Sequence, residues 1–434
     1  MEWLFSFPKT FLIRIVDRRQ IWYTIFVCKQ GTAVPKTKEA TCMKILICNV
    51  GSTSLKYQLI DMDKEETLAR GGQERVGAPM GSFNHKDVTG KEFKKELPIG
   101  DHGVGITLMM EALADIADPN ELACVGFKVV LAKGVTGVQL LNEDVLAAMA
   151  EYNAIAPSHN PPYIAAVRQF AKLMPGLPLI GSFETGFHAT MPPKAYLYSI
   201  PKELTEKYGI RRYGFHGASH EYVSGKVMEY MGREDIRIIT CHLGGSGSIC
   251  AIRNGKSIDT NFGFSLQCGT IHNNRCGDID PFIPIYLQEV GYSLEEVKTI
   301  LNKQSGLLGM SGVSNDLRDV EKAAAEGNVD AQNAIDAYCY GITKQIGAYA
   351  AVMGGVDAIA FSGGIGENSS LVREKVLEGL NFIGVSLNKS RNDQCRPDSE
   401  ISDGGGWVKL FVVGTNEELI VARKAKKYLE EHNM

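Results

Sequence analysis

Three stretches rich in glycine and small hydroxyl residues could receive an anion: GSTS at 51–54 with Lys56 just beyond, GGSGS at 244–248, and FSGGIGENSS at 361–370. Such turns present several backbone N–H groups together, and their small side chains let a phosphate approach. One such turn is an ordinary hairpin feature. Three in one chain point to a phosphate ligand. Charged and polar candidates accompany them: His159 in HNPP, His216 and His220 in RRYGFHGASH, Glu184 in SFETGFH, Arg275 with Asp278 in NNRCGDIDP, and Glu417 in TNEEL. As a set they offer cations and neutral donors to a phosphoryl group in transfer, and carboxylates to Mg2+. That reaction asks for positioning and charge neutralisation more than for a covalent partner. The full Walker pattern is absent, which argues against a P-loop kinase.

The elements that must hold these residues read as follows. After Met43, KILICNVGSTSLKYQLIDMD is a strand, a Gly/Ser turn and a second strand; IRIITCHLGGSGSICAIRNGKSID at 236–259 repeats the unit and ends on the hairpin turn Asn254-Gly255. Two copies almost 200 residues apart signal a duplicated domain. Between and after them, strands at 124–131, 179–183 and 357–362 alternate with helical spacing at 141–152 and 163–173. Ala331, Ile335, Tyr338, Ile342, Ile346 and Tyr349 mark one face of a long helix that Gly354-Gly355 ends. Asn368 or Ser369 is placed to cap the helix after the third glycine loop, and Asp280 before Pro281 reads as another helix start. The pattern predicts a two-domain α/β protein with mixed sheets and a ligand in the interdomain cleft.

The formal net charge of −4 over 434 residues excludes a general nucleic-acid binder. Residues 1–42 hold seven Lys/Arg against three Asp/Glu, so the rest carries −8. That opening segment has neither a membrane-length apolar run nor the order of a secretory signal, and reads as an extension outside the fold with Met43 as the natural start. The ten cysteines include no Cys-x-x-Cys pair and fit a reducing cytoplasm.

In their order along the chain, NVGSTSLKYQLID, APSHNPP, FETGFH, RRYGFHGASH, CHLGGSGS, RCGDIDP, SGLLGMSGVSNDLRD, GGIGENS and TNEEL resemble the acetate kinase family, from Met43 to near the C-terminus. The resemblance implies a duplicated actin/hexokinase-type (ribonuclease H-like) fold and a homodimer. It also implies reversible transfer of the ATP γ-phosphoryl group to a short carboxylate, acetate first, with Mg2+ or Mn2+. The domains it implies are 43–188, joined by 419–434, and a nucleotide-binding domain at 189–418. By motif position, His159, Glu184, His216, Arg275 and Lys128 would be catalytic. Val130, Phe215 and Leu266, with Lys128 and Arg275, would bind the acid. Asn49, Ser54, Lys56, His242, Gly244, Gly245, Asp316, Leu317, Arg318, Gly364, Ile365 and Asn368 would hold the nucleotide. Glu417 and Asn49 would serve the metal.

The chain also departs from the family pattern. Phe127-Lys128-Val129-Val130-Leu131-Ala132-Lys133 stands where the family has His-Arg-Val-Val-His-Gly-Gly, so the arginine becomes Lys128 and its bidentate fork is lost. Glu184 replaces an aspartate, Gly245 an asparagine, Ser158 a leucine, Leu266 a proline and Asn273-Asn274 a Gly-Thr. Like charge replaces like charge at two sites, which reads as a re-tuned enzyme. The rival readings are a propionate kinase, a pyrophosphate-using variant and a nucleotide-binding member without activity.

Overall fold

The computed structural model describes residues 42–434, and before them only β1 (Arg14–Val16) and β2 (Trp22–Thr24), which pair antiparallel. The expectation of an extension with a start at Met43 falls mostly on residues outside those described.

The first long strand, β3 (Lys44–Val50), is apolar on both faces: Leu46, Cys48 and Val50 enter one core, Ile45 and Ile47 another. A continuous apolar run of this kind marks a central strand covered on both sides. It turns into β4 (Ser54–Asp61), and β5 (Glu66–Glu74), β6 (Gly81–Asp87) and β7 (Glu92–Leu97) extend the sheet antiparallel. β8 (Leu122–Val129) and β10 (Leu179–Phe183) run parallel to β3, with β9 (Val138–Leu140) antiparallel on the far edge. The order is β7-β6-β5-β4-β3-β8-β10-β9.

The second sheet holds β11 (Arg237–Leu243), β12 (Gly247–Arg253), β13 (Lys256–Thr260), β14 (Ala358–Ser362), β15 (Ser399–Glu400) and β16 (Lys409–Val412), in the order β13-β12-β11-β14-β16-β15. Without β6 and β7, the first sheet matches it strand for strand. In each, a meander of three antiparallel strands leads to two parallel strands and an antiparallel edge. The duplication read from two hairpins thus extends to the whole sheet. The strands over 66–97 were not anticipated from the sequence.

Two helices cross between the halves. The helix Gly217–Met231 follows β10 in the chain yet packs on β11 and β14; the helix Glu417–His432 follows β16 yet packs on β3, β8 and β10. Val421, Ala422, Ala425 and Leu429 bury its apolar face against Ile45, Ile47 and Ile180. Truncating Leu429 to Ala there would cost about 2–5 kcal/mol. This exchange brings the N-termini of both helices to the strand ends, with His216 before one and Glu417 opening the other.

Local boundaries shift where capping decides them. The helix expected from 163 begins at Asn160, and the one expected near Asp280 begins at Ile283 because Asp280 accepts from the Phe282 N–H at 2.8 Å. Ser369, not Asn368, caps Ser370–Leu377; the Asn368 amide donates back to the Gly364 carbonyl. The long helix spans Val329–Met353 and ends on Gly354 at φ +66° as expected.

Candidate active site

The site is built on matching strand ends. Asn49 near the end of β3 and His242 near the end of β11 occupy equivalent positions, each one residue after a buried cysteine. The Asn49 Oδ1 accepts from the Tyr163 hydroxyl at 2.9 Å. In the following turn the Gly51 N–H donates to the Ser54 carbonyl, and Lys56, paired across the ladder with Asn49, is exposed.

Lys128 on β8 reaches Glu417 across 289 residues of sequence, with Nζ to Oε2 at 2.5 Å. Burial pulls the Lys128 ammonium toward neutrality, but the carboxylates of Glu417 and Glu184 outweigh it and hold its pKa above the ordinary lysine value. Glu184 follows β10, where its N–H donates to the Val129 carbonyl and its own carbonyl accepts from Gly217. Its side chain is buried, and its Oε1 has no hydrogen-bond partner. Burial, opposed by Lys128 and reinforced by Glu417, raises the Glu184 pKa to about 7. For Glu417 burial acts in the same direction, but Lys128 and His242 prevail and lower it. Two carboxylates therefore share one ammonium.

His216 adopts φ +55° immediately before the helix Gly217–Met231. Histidine is among the residues that tolerate this left-handed region, at a cost of about 1–3 kcal/mol. Its Nδ1 lies 2.8 Å from the Ser248 Oγ, and its ring centroid is 4.2 Å from that of His242. Burial, then His242, His220, Lys128 and Arg275, depress its pKa well below the usual range. His159 stands at the N-terminus of Asn160–Leu173 with its pKa lowered to about 4 by burial, Arg275 and Lys128. Both histidines are thus neutral and flanked by the same two cations. Arg275 donates to the Leu266 carbonyl at 2.5 Å, and burial brings its pKa down to about 10, leaving it charged at neutral pH. Asp278, offered by the same motif, accepts from the Gly269 N–H at 2.8 Å. Val130, Phe215 and Leu266 are buried apolar groups, whereas Ser158 is exposed.

The nucleotide candidates form a second group. A Cβ on Gly244 would lie 3.9 Å from the Gly364 nitrogen, so the second and third glycine loops approach each other. The Gly245 carbonyl accepts from the Asn273 N–H. Ser369 donates to Glu321 at 2.6 Å, tying the Gly364–Ile365–Asn368 segment to the helix Leu317–Ala325. Asp316 caps that helix and pairs with Arg318, which lowers its pKa to about 2. The Leu317 side chain is buried in the core, so only its backbone is free to face a ligand.

The acetokinase family model matches residues 44–423. The chain belongs to the acetokinase family. An acetate kinase of Clostridium botulinum is 47% identical over 395 residues, covering 89% of this chain and 99% of the relative. The crystal structure of Porphyromonas gingivalis acetate kinase is 37% identical with a TM-score of 0.82, covering 89% of this chain and 100% of that one. A propionate kinase from Francisella tularensis is 33% identical with a TM-score of 0.83, over 88% and 98%.

Within this family member, Lys128, Glu184, Glu417, His159, His216, His242 and Arg275 form one electrostatically linked group around Lys128. Among the described residues, the Asp316 and Arg318 side chains pair with each other and not with this group. Sequence reasoning passed over Tyr163, which fixes Asn49, and did not single out Ser248, which touches two histidine rings. The helical spacing at 163–173 and the GGSGS turn contained both, but nothing in the sequence set them apart from core and turn residues.

Proposed function

We propose that this member of the acetokinase family transfers the γ-phosphoryl group of ATP to acetate, reversibly, giving acetyl phosphate and ADP. The observation that carries the reading is the half-buried Arg275 guanidinium. Among the described residues its side chain bonds to one partner, a backbone carbonyl, and it acts together with Lys128 on His159 and His216. Such a pocket favours an anion whose charge is spread over several oxygens.

Acetate, ionised at neutral pH like any simple carboxylate, needs no general base. Its oxygen would attack the γ-phosphorus in line while Arg275, His216 and Lys128 balance charge on the equatorial oxygens. Val130, Phe215 and Leu266 would enclose the methyl group. Asn49, Ser54, Lys56, His242, Gly244 and Gly245 would cradle the phosphates. Asp316, Leu317, Arg318, Gly364, Ile365 and Asn368 would flank the adenosine.

Mg2+ fits the donor set. Glu184, Glu417 and Asn49 offer only oxygen ligands, and the Glu184 Oε1 is buried without a partner. These residues would hold it, and when bound it would neutralise nucleotide phosphate charge. We assign 43–188 with 419–434 to one domain and 189–418 to the other, since Glu417–His432 packs on the first sheet. A homodimer is supported by the exposed Phe282, Ile283, Ile285, Tyr286 and Val290, an apolar strip of the kind that marks association surfaces. No described helix is long and apolar enough to cross a membrane, and the unpaired described cysteines fit the cytoplasm.

The test is a hydroxamate-trapping assay with ATP and acetate, propionate or butyrate. Acyl phosphate from acetate at the highest kcat/KM is expected. Formation from none of the three acids would end the proposal, and a preference for propionate would reassign the substrate.

A further inference from the structure

Behind His216 a chain of hydrogen bonds runs into the core. The His216 Nδ1 lies 2.8 Å from the Ser248 Oγ, which lies 2.7 Å from the His220 Nε2; the His220 Nδ1 lies 2.7 Å from the Thr240 Oγ1. Thr240, Ser248 and His220 are all fully buried, so water does not reach their polar atoms. Each link joins two groups that can donate or accept, and taken singly none has a direction.

The end of the chain supplies one. Among the described residues, the Thr240 hydroxyl has a single partner, the His220 Nδ1. A buried hydroxyl hydrogen left without an acceptor costs about 1–3 kcal/mol, so Thr240 donates and the His220 Nδ1 accepts. Neutral His220 then carries its proton on Nε2 and donates to the Ser248 Oγ. The Ser248 hydroxyl, with His216 as its other partner, donates to the His216 Nδ1. His216 is left with its proton on Nε2, from which the Ser246 Oγ lies 3.4 Å away, longer than the relay's own links and so readily exchanged for a phosphoryl oxygen. We propose that Thr240, His220 and Ser248 form a tautomer-setting relay that presents His216 Nε2–H as a fixed donor to the transferring phosphoryl group.

This rests on the proposed function, which puts the phosphoryl group at His216; the three relay members are positioning residues that act through it. The relay matters because a His216 whose Nδ1 accepts from Ser248 carries no proton there and is a neutral ring. An imidazolium would donate from both nitrogens whatever lay behind it, but neutral imidazole has one donor and one acceptor. With the tautomer reversed, a lone pair would face phosphoryl oxygens, which offer only lone pairs. His242 has a similar backing, with Nδ1 2.7 Å from the Ser219 Oγ and Ser219 accepting from Thr415 at 3.0 Å.

The experiment is a two-bond 15N–1H correlation spectrum of the full chain with 15N-labelled histidine. His216→Gln and His220→Gln assign two of the nine imidazoles. Neutral Nε2–H forms of both His216 and His220 are expected between pH 6 and 8, and an Nδ1–H form of His216 overturns the relay without reference to activity. Thr240→Val, which removes the hydroxyl at nearly constant shape, should mix the His216 tautomers. It should lower kcat by roughly tenfold or more with KM for both substrates within about twofold, since a wrong imidazole tautomer disables catalysis without removing binding. Thr240→Ser should restore both the spectrum and kcat. A fall in kcat with the tautomer unchanged would reduce Thr240 to a structural role and refute the proposal. If Thr240→Val does not fold, the wild-type tautomer decides alone. A wild-type chain that shows the expected tautomers but forms no acyl phosphate would defeat the function instead, so the two failures are separable.

Discussion

Replacing Lys128 by Met tests the electrostatic account most directly. The substitution keeps most of the side-chain volume and removes the one ammonium shared by Glu184 and Glu417. Removing one partner of a fully buried ion pair costs about 3–5 kcal/mol. Lys128 keeps 21% and Glu417 11% of its side-chain surface exposed, so the low end, about 3 kcal/mol, applies near pH 8. The loss must depend on pH. Lys128 lowers the pKa of both carboxylates, so in its absence both rise and the pair takes up protons as the solution is acidified. Near pH 5 the protonated pair no longer needs a counter-charge, and the difference from wild type should shrink to about 1 kcal/mol or less. Denaturant unfolding of both proteins at pH 5 and 8 measures this. Lys128→Met combined with Glu417→Gln should regain most of the stability at pH 8 while remaining inactive in the hydroxamate assay. A cost below about 1 kcal/mol at pH 8, or an equal cost at both pH values, would show that the three groups are not coupled as described.

Other perturbations test separate parts of the molecule. The fully buried His188, His220 and His272 have pKa values below the free value, at about 4 for His188 and about 3 for His272, chiefly through burial. Their contribution to stability is present above pH 6.5 and is lost as pH falls toward those values, at about 1.4 kcal/mol per pH unit for each group. Glu184, raised to about 7, has the opposite sign: its contribution is present below pH 4.5 and is lost as pH rises to 7. Three groups outweigh one, so unfolding free energy should fall as pH is lowered from 6.5 to 4.5, and Glu184→Gln should steepen that fall. Gly363→Ala should destabilise the chain by about 2 kcal/mol or more and weaken ATP binding in a calorimetric titration, because Gly363 sits at φ +76° and a Cβ would lie 2.7 Å from the Leu243 carbonyl oxygen. Asp316→Ala should raise KM for ATP by roughly fivefold, the worth of about one hydrogen bond, with KM for acetate unchanged in initial-rate measurements. The proposed homodimer predicts that Phe282→Glu together with Tyr286→Lys shifts the sedimentation coefficient from that of a dimer to that of a monomer.

Much of the fold was legible because local rules and tertiary structure agreed. KILICNV is apolar at every position that the sheet covers, Asn254-Gly255 has the positive φ values that its hairpin requires, and Gly354 ends the long helix as its conformational freedom predicts. The strands over 66–97 escaped notice because their alternation is broken by Arg70, Gly71, Gly72 and Gln73, whose place is set by neighbouring strands. The separate partners of Arg275 and Asp278, the Leu266 carbonyl and the Gly269 N–H, were not legible because three residues of separation in a loop fixes no geometry.

The sequence by itself determined the strand–turn–strand repeats, the residue types gathered for a phosphoryl group and membership of the acetokinase family, since these reside in order and spacing. The tertiary structure alone decided which charges meet. Lys128 and Glu417 are 289 residues apart and touch because the helix after β16 crosses to the other sheet. Burial and unlike neighbours then separate two glutamates that the sequence makes alike, leaving one near neutrality and the other ionised. The proton on His216 is likewise set from Thr240, 24 positions along the chain, through two intervening side chains that no local pattern connects.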